Sequence, residues 1–267
     1  AASDVYKRQH GSSLMMACMD MNGDAGFILA IALVCRLKPG GVVWAAPVCS
    51  SWININMATS GRWNAMPLGR QDLPYVRDAN LMVDRCVLLL LLAACRGCMW
   101  CLEQPKGSVM QYHPKFQHLI KTAPVFRHTT SMSLYGAGSQ KPHWFYCNDP
   151  LICDIDRYAW KGIVPEDARD MVTVSQKGSK TTFTGSRDLK SSQAYPVNLG
   201  RAFAMLVLRH KARLRTAGQR LRSAYAAPQT PLRWDADLLP CVRALHRRAS
   251  HACPCLLYTS PSPRDKR

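Results

Sequence analysis

The run Cys86-Val87-Leu88-Leu89-Leu90-Leu91-Leu92-Ala93-Ala94-Cys95-Arg96-Gly97-Cys98-Met99-Trp100-Cys101-Leu102-Glu103-Gln104-Pro105 decides the fold. Its apolar part closes a helical pattern that starts near Val76, and Gly97 is a helix stop. Cys98 to Leu102 then reads as a short buried strand, because a brief apolar run follows a breaker and ends at the polar Glu103-Gln104-Pro105. The ten-residue run from Cys86 to Cys95, as a helix, would reach about half of a bilayer's hydrocarbon core. It therefore predicts a core helix rather than a membrane span.

The same unit stands upstream. Gly26 to Val34 reads as a helix, with Asp24 as its N-cap and Lys38-Pro39-Gly40-Gly41 as an abrupt end. Being apolar all round, that helix is expected to be buried. Val42-Val43-Trp44-Ala45-Ala46 follows as a strand ending at Pro47. Helix alternating with strand predicts an α/β domain with a parallel sheet, whose chemistry gathers beyond the carboxyl ends of the strands. Those ends are Pro47-Val48-Cys49 and Glu103-Gln104-Pro105. Downstream, the pattern predicts a helix from Ser108 to Thr122 interrupted near Pro114, and extended segments at Val125–Leu134 and Pro142–Cys147. Residues 150–195 read as loops with short elements. A closing helix is expected from Tyr195 to Leu214, with Phe203, Leu206, Val207 and Leu208 on its core face.

The 267-residue chain carries a formal charge of +18, and 48% of it is apolar, too much for a disordered polybasic tail. Residues 10–208 hold 20 Lys and Arg against 13 acids, a net +7. The remaining excess lies mostly beyond residue 208. Residues 1–9 and 258–267 resemble translated adapter sequence and are expected to be non-native tails on a fragment. Between them lie a domain at 10–208 and an Arg-rich extension at 209–257, where Arg209, Lys211, Arg213, Arg215, Arg220 and Arg222 could grip phosphates or form a solvated face. The twelve cysteines are irregularly spaced and read as reduced intracellular thiols. Cys95, Cys98 and Cys101 invite a zinc reading, but strand residues three apart point to opposite faces, so no metal is expected.

Ala46-Pro47-Val48-Cys49-Ser50-Ser51-Trp52 after one strand, and Leu102-Glu103-Gln104-Pro105-Lys106-Gly107-Ser108 after the next, together resemble the nucleophile loop and acidic motif of the cytosine-5 DNA methyltransferase family. Tyr135-Gly136 with Gln140-Lys141-Pro142 is similar to the family's Tyr-Gly turn and Gln-Arg-x-Arg strand. Tyr195-Pro196-Val197-Asn198-Leu199-Gly200 is similar to its closing motif. The resemblance covers roughly residues 13–208 and is nearest to divergent members from protists and large viruses. Val48 stands where the family has Pro, Gln104 where it has Asn, and Pro142 and Trp144 where it has Arg.

The resemblance implies a Rossmann-like, S-adenosylmethionine-dependent methyltransferase fold, incomplete at its N-terminus. It also implies methylation of cytosine carbon 5 in DNA, with a Cys49 thiolate adding to carbon 6 while Glu103 stabilises the ring. Ser50, Arg62, Arg70, Gln104, Gln140 and Lys141 are then expected to bind substrate. Trp52, Arg62, Trp63 and Arg70 would form a rim for a base taken out of the stack. Asp20, Pro47 and Asn198 would face S-adenosylmethionine. The alternatives are an inactive nucleic-acid-binding remnant of a mobile element and a methyltransferase acting on RNA. An intracellular location, the nucleus included, goes with either.

Overall fold

A computed structural model describes residues 19–159, 172–178, 180–185 and 194–216. The terminal tails, and the extension beyond Thr216, lie outside the described residues. The chain is mixed α/β, with a four-stranded mixed sheet and a separate two-stranded ribbon.

Helix α1 (Asp24–Arg36) starts after Gly23, and Asp24 is its first residue instead of the expected N-cap. The Asp24 carboxylate is taken by Arg85 at 2.6 Å. The preceding turn is built by Asp20, whose carboxylate accepts the Asn22 N–H at 2.9 Å and whose carbonyl accepts the Gly23 N–H. Gly26 presses on that turn so closely that a Cβ would lie 2.1 Å from the Asp20 carbonyl oxygen, so no larger residue fits. Only Gly26, Ala30 and Val34 of α1 are buried, against the expectation of burial all round. The helix packs along one stripe with period four, and its remaining apolar side chains are only partly covered.

Strand β1 (Val42–Ala45) leads through a 3₁₀ turn (Asn54–Asn56) and the short helix α2 (Met57–Ser60) to helix α3 (Pro74–Cys95). Pro74 opens α3, where its missing N–H costs nothing, and Gly97 closes it with φ 67°. Strand β2 (Met99–Pro105) is buried along all seven residues. It is the centre of the molecule: Trp100 and Leu102 face one core, Met99 and Cys101 the other. A 3₁₀ turn (Val109–Tyr112) and helix α4 (Pro114–Thr122) follow, with the expected break at Pro114. Strands β3 (Phe126–Ser131) and β4 (Pro142–Cys147) then form a hairpin.

The sheet order is β1-β2-β4-β3. β1 and β2 run parallel, with Trp44 opposite Cys101, whereas β4 is antiparallel to both of its neighbours. The expected parallel sheet is thus confined to one pair. Residues 132–141 are too short for the crossover, of about a dozen residues or more, that a parallel return needs. Helices α1, α3 and α4 cover one face. The other is covered by 3₁₀ helices at Met132–Tyr135 and Pro150–Tyr158 and by helix α5 (Val197–Thr216).

α5 buries Leu199, Ala202, Leu206 and His210, a stripe of spacing three and four, which leaves Leu208 60% exposed rather than in the expected core face. Residue 209 falls inside α5, so the extension does not begin there. Arg209 reaches Asp154 at 2.8 Å and Arg213 reaches Asp149 at 2.6 Å, which commits both side chains to the body of the fold. The ribbon pairs β5 (Val172–Lys177) with β6 (Lys180–Gly185), and β6 lies beside the Asn54–Asn56 turn. Among the described residues no helix is long and apolar enough to cross a membrane.

Candidate active site

Because β1 and β2 are parallel and in register, with Ala45 opposite Leu102, the chain segments that leave them emerge at the same edge of the sheet. The first carries Pro47-Val48-Cys49. The second carries Glu103, on the α5 face of β2. Gln104 ties the two together: its Nε2 donates to the Pro47 carbonyl at 2.8 Å, and its Oε1 accepts from Ser108 Oγ at 3.0 Å. Cys49 then opens a turn closed by the Trp52 N–H on its carbonyl, and the Trp52 carbonyl accepts from Val109 N–H. Two elements thus fix the Cys49 turn from opposite sides.

Glu103 is buried and hydrogen-bonded on both oxygens, Oε1 to His143 Nδ1 and Oε2 to the Tyr195 hydroxyl. His143 comes from β4, paired opposite Pro105, so it stands diagonal to Glu103 on the same face. Its Nε2 is buried and has no hydrogen-bond partner among the described residues. Tyr195 sits two residues before α5, its ring edge-on to Trp44 at 6.4 Å. Although Tyr195 as a whole is 43% exposed, its hydroxyl end is set against the buried Glu103, and that local burial and then the Glu103 charge push the hydroxyl well above its ordinary value, so it stays protonated and donates.

Cys49 is partly buried, and burial pushes its thiol up to about 11. The Glu103 charge raises it further, and Lys141 pulls in the opposite direction. At rest this group is a thiol, about 100-fold poorer in thiolate than one with a pKa near 9. Cys49, Glu103, Lys141 and Tyr195 therefore form one electrostatic cluster.

The other expected site residues fare differently. Arg62 is buried, with Nη1 on the carbonyl of Pro67 and on Asn80 Oδ1, and Nη2 on the carbonyl of Val76, so it cannot meet a substrate. Trp52 is buried beneath its guanidinium, not on a rim. Gln104 is spent on Pro47 and Ser108, and its expected substrate role is replaced by bracing. Ser50 lies in the Cys49 turn, its carbonyl accepting from Asn56. Arg70 is exposed and paired with Asp72 at 2.9 Å. Gln140 is exposed, its carbonyl held by Ser131 Oγ. Trp63 is exposed, as expected.

The three residues expected to face S-adenosylmethionine are not brought together. Asp20 precedes Met21, which lines an apolar recess with Val43, Ala45, Ala46, Cys86, Leu89 and Leu90 on the α1 and α3 face. Pro47 follows that wall, its carbonyl already occupied by Gln104. Asn198 is on the α5 side, donating to the Tyr135 carbonyl at 3.3 Å and accepting from Arg201 at 3.2 Å. This recess has room for no more than about one water molecule and offers no donors for a charged amino-acid moiety. The described residues alone do not fit S-adenosylmethionine.

No family model matches the chain, and neither a curated protein nor a solved structure matches it.

His143 and Tyr195 are the site residues that sequence reasoning missed as partners of Glu103. The strand pattern carried a signal for the first. If Pro142–Cys147 pairs antiparallel with β2, then Phe145 and Cys147 mark the buried face and His143, in phase with them, shares it.

Proposed function

We propose that this edge of the sheet is a nucleophile site directed at cytosine in DNA, within a Rossmann-like methyltransferase type of sheet. The single observation that carries the reading is the proximity of Cys49 and Glu103 on adjacent parallel strand ends, close enough for the Glu103 charge to raise the thiol. Helices on both faces of the β1–β2 pair, with α3 as the crossover between them, support the fold assignment.

In this reading the Cys49 proton passes to the Glu103 carboxylate as the sulfur bonds to carbon 6 of the base. The electron pair of the 5,6 double bond moves through carbon 4 onto nitrogen 3, which takes that proton from Glu103 and leaves it a carboxylate again. Tyr195 must leave Oε2 for the base edge to take its place. S-adenosylmethionine as methyl donor belongs to the same proposal and needs donors beyond the described residues. So does a nuclear or other intracellular location, where DNA is met.

A second reading, an inactive nucleic-acid binder, is favoured by the raised Cys49 thiol and by Tyr195 sitting on Glu103. Trapping separates the two. DNA carrying 5-fluorocytosine, incubated with the chain and S-adenosylmethionine, is expected to give a covalent adduct that Cys49→Ala abolishes. Binding without adduct would favour the second reading, and an adduct that survives Cys49→Ala would refute the first.

A further inference from the structure

Strands β2 and β4 place Cys101 directly opposite Cys147. Two backbone bonds fix the kind of pairing. At one end the Asn148 N–H donates to the Trp100 carbonyl at 3.4 Å, and at the other the Lys106 N–H donates to the Pro142 carbonyl at 2.9 Å. Hydrogen-bonded pairs therefore fall on the even-numbered residues of β2. Cys101 and Cys147 are a non-hydrogen-bonded pair, the kind whose Cα atoms stand about 4.5 Å apart with side chains close together on one face. That spacing lies within the roughly 4.4–6.8 Å that a disulfide spans between Cα atoms. Both thiols are free and buried.

The surroundings of the pair supply a donor and an entrance. The Asp149 N–H donates to Cys147 Sγ at 3.3 Å, which favours a thiolate there, while burial of both thiols opposes it. Two buried thiols that stay protonated are shielded from an oxidant in water. Cys153 is not shielded: it is exposed on the 3₁₀ helix Pro150–Tyr158, whose Leu151, Ile152 and Ile155 pack in the same core as the pair. Its charge acts on the Cys147 thiol, as the charge of Cys147 acts on Cys101. The three sulfurs thus lead from the surface to the middle of the sheet.

We propose that Cys101 and Cys147 are a reversible disulfide site, oxidised by a small-molecule disulfide that enters at Cys153. Cys153 attacks one sulfur of the small disulfide, forming a mixed disulfide, and the first small thiol leaves with the Cys153 proton. Cys147 then attacks the Cys153 sulfur, and the second small thiol leaves with the Cys147 proton. Cys101 attacks the Cys147 sulfur in turn, and Cys153 leaves with the Cys101 proton. The balance is one small disulfide reduced to two thiols and one protein dithiol oxidised to a disulfide. The new bond lies on the face of β2 that carries Glu103 and the face of β4 that carries His143. It ties together the two strands that hold that pair, and it does not depend on what the pair acts on.

The test incubates the whole chain with glutathione disulfide in native buffer, blocks the remaining thiols with iodoacetamide in denaturant, and maps peptides without reduction. Wild type is expected to yield two peptides joined through Cys101 and Cys147, separated again by dithiothreitol. Cys153→Ser should slow the appearance of that link about tenfold or more, and Cys101→Ser should stop at a Cys147–Cys153 bond. Because Cys153 is exposed, its replacement leaves the core intact, and the rate comparison does not depend on how a core variant folds. Glutathione retained on Cys153 while Cys101 and Cys147 are both recovered as free thiols overturns the site. An unchanged rate in Cys153→Ser overturns the entry through that residue.

Discussion

Glu103 and Asp149 are two buried carboxylates that each hold a histidine, at opposite ends of the same sheet. Asp149 accepts from His210 Nδ1 at 2.5 Å, from Arg213 at 2.6 Å and from the Leu151 N–H at 3.0 Å. Burial alone would raise its pKa, but the His210 hydrogen bond, the Leu151 N–H and the Arg213 charge outweigh it and hold the carboxyl below its ordinary value. Glu103 takes an imidazole and a phenol hydroxyl. A carboxylate fastened by a fixed cation and a backbone cap is a structural joint. One held by a side-chain hydroxyl from a separate element has a bond that a ligand can replace.

That contrast can be broken most forcefully at Asp149. Asp149→Ala leaves His210 Nδ1 and the Leu151 N–H without acceptors and is expected to cost about 3 kcal/mol of stability in urea unfolding. A loss below about 1 kcal/mol would place Asp149 on the same footing as Glu103. The pH dependence follows from its lowered pKa. The Asp149 contribution is complete above the unfolded carboxyl value of about 3.9 and disappears as pH falls through the lower folded value. The stability gap between wild type and Asp149→Ala should therefore be constant from neutral pH down to about 5 and shrink below about 4. A gap that persists at pH 2 would show that contacts other than ionic ones hold α5.

Effects at the Glu103 end are smaller and chemical rather than structural. With its thiol at about 11, Cys49 should react with iodoacetamide at neutral pH about tenfold more slowly than the exposed Cys95 and Cys153. The thiolate is about 100-fold scarcer than for a pKa near 9, and the greater nucleophilicity of a more basic thiolate recovers roughly half of that on a logarithmic scale. Peptide mapping of the alkylated chain reads the ratio, and equal rates would mean that Cys49 is not screened from water as described. The smallest change is expected from Glu103→Gln. Stability should shift by less than about 1 kcal/mol because the amide still bonds Tyr195 and His143. Cys49 alkylation should rise several-fold, since removing a negative charge lowers the thiol pKa. Slower alkylation in this variant would contradict the electrostatic coupling on which the site rests.

The elements that sequence reasoning located well are those whose signals are local. The apolar period and Gly97 gave α3 and the start of β2 to within about two residues, whereas β2 runs on through Glu103-Gln104-Pro105, which the sequence reading took as its end, and Pro114 marked the break between the 3₁₀ turn and α4. Cys49 and Glu103 were legible as neighbours because two strands of one βαβ unit must place their ends together. Arg62 and Gln104 were misread for one reason: a polar side chain looks the same in sequence whether it meets solvent or crosses the core. What decides is the set of carbonyls around it, Pro67 and Val76 for Arg62 and Pro47 for Gln104, and these come from distant segments. Tyr195 stands 92 residues from Glu103, and no periodicity links a helix entry to a strand end across that distance. The direction of β4 was missed because a strand pattern carries no sign, and only the length of the preceding connection selects the antiparallel return.

The bond between Gln104 and Pro47 joins residues 57 apart in the chain. It forms only after the β1–β2 pairing closes a loop that contains all of α3, whereas the β3–β4 hairpin and α3 can take shape from near neighbours. Long closures carry the greater entropic cost and come late. The edge that carries Cys49 and Glu103 is thus expected to be the last part of the sheet to assemble and the first to open. Slowly exchanging amides should concentrate in the hairpin and in α3 rather than in β1. The proposed chemistry would then sit where the folded state has least in reserve.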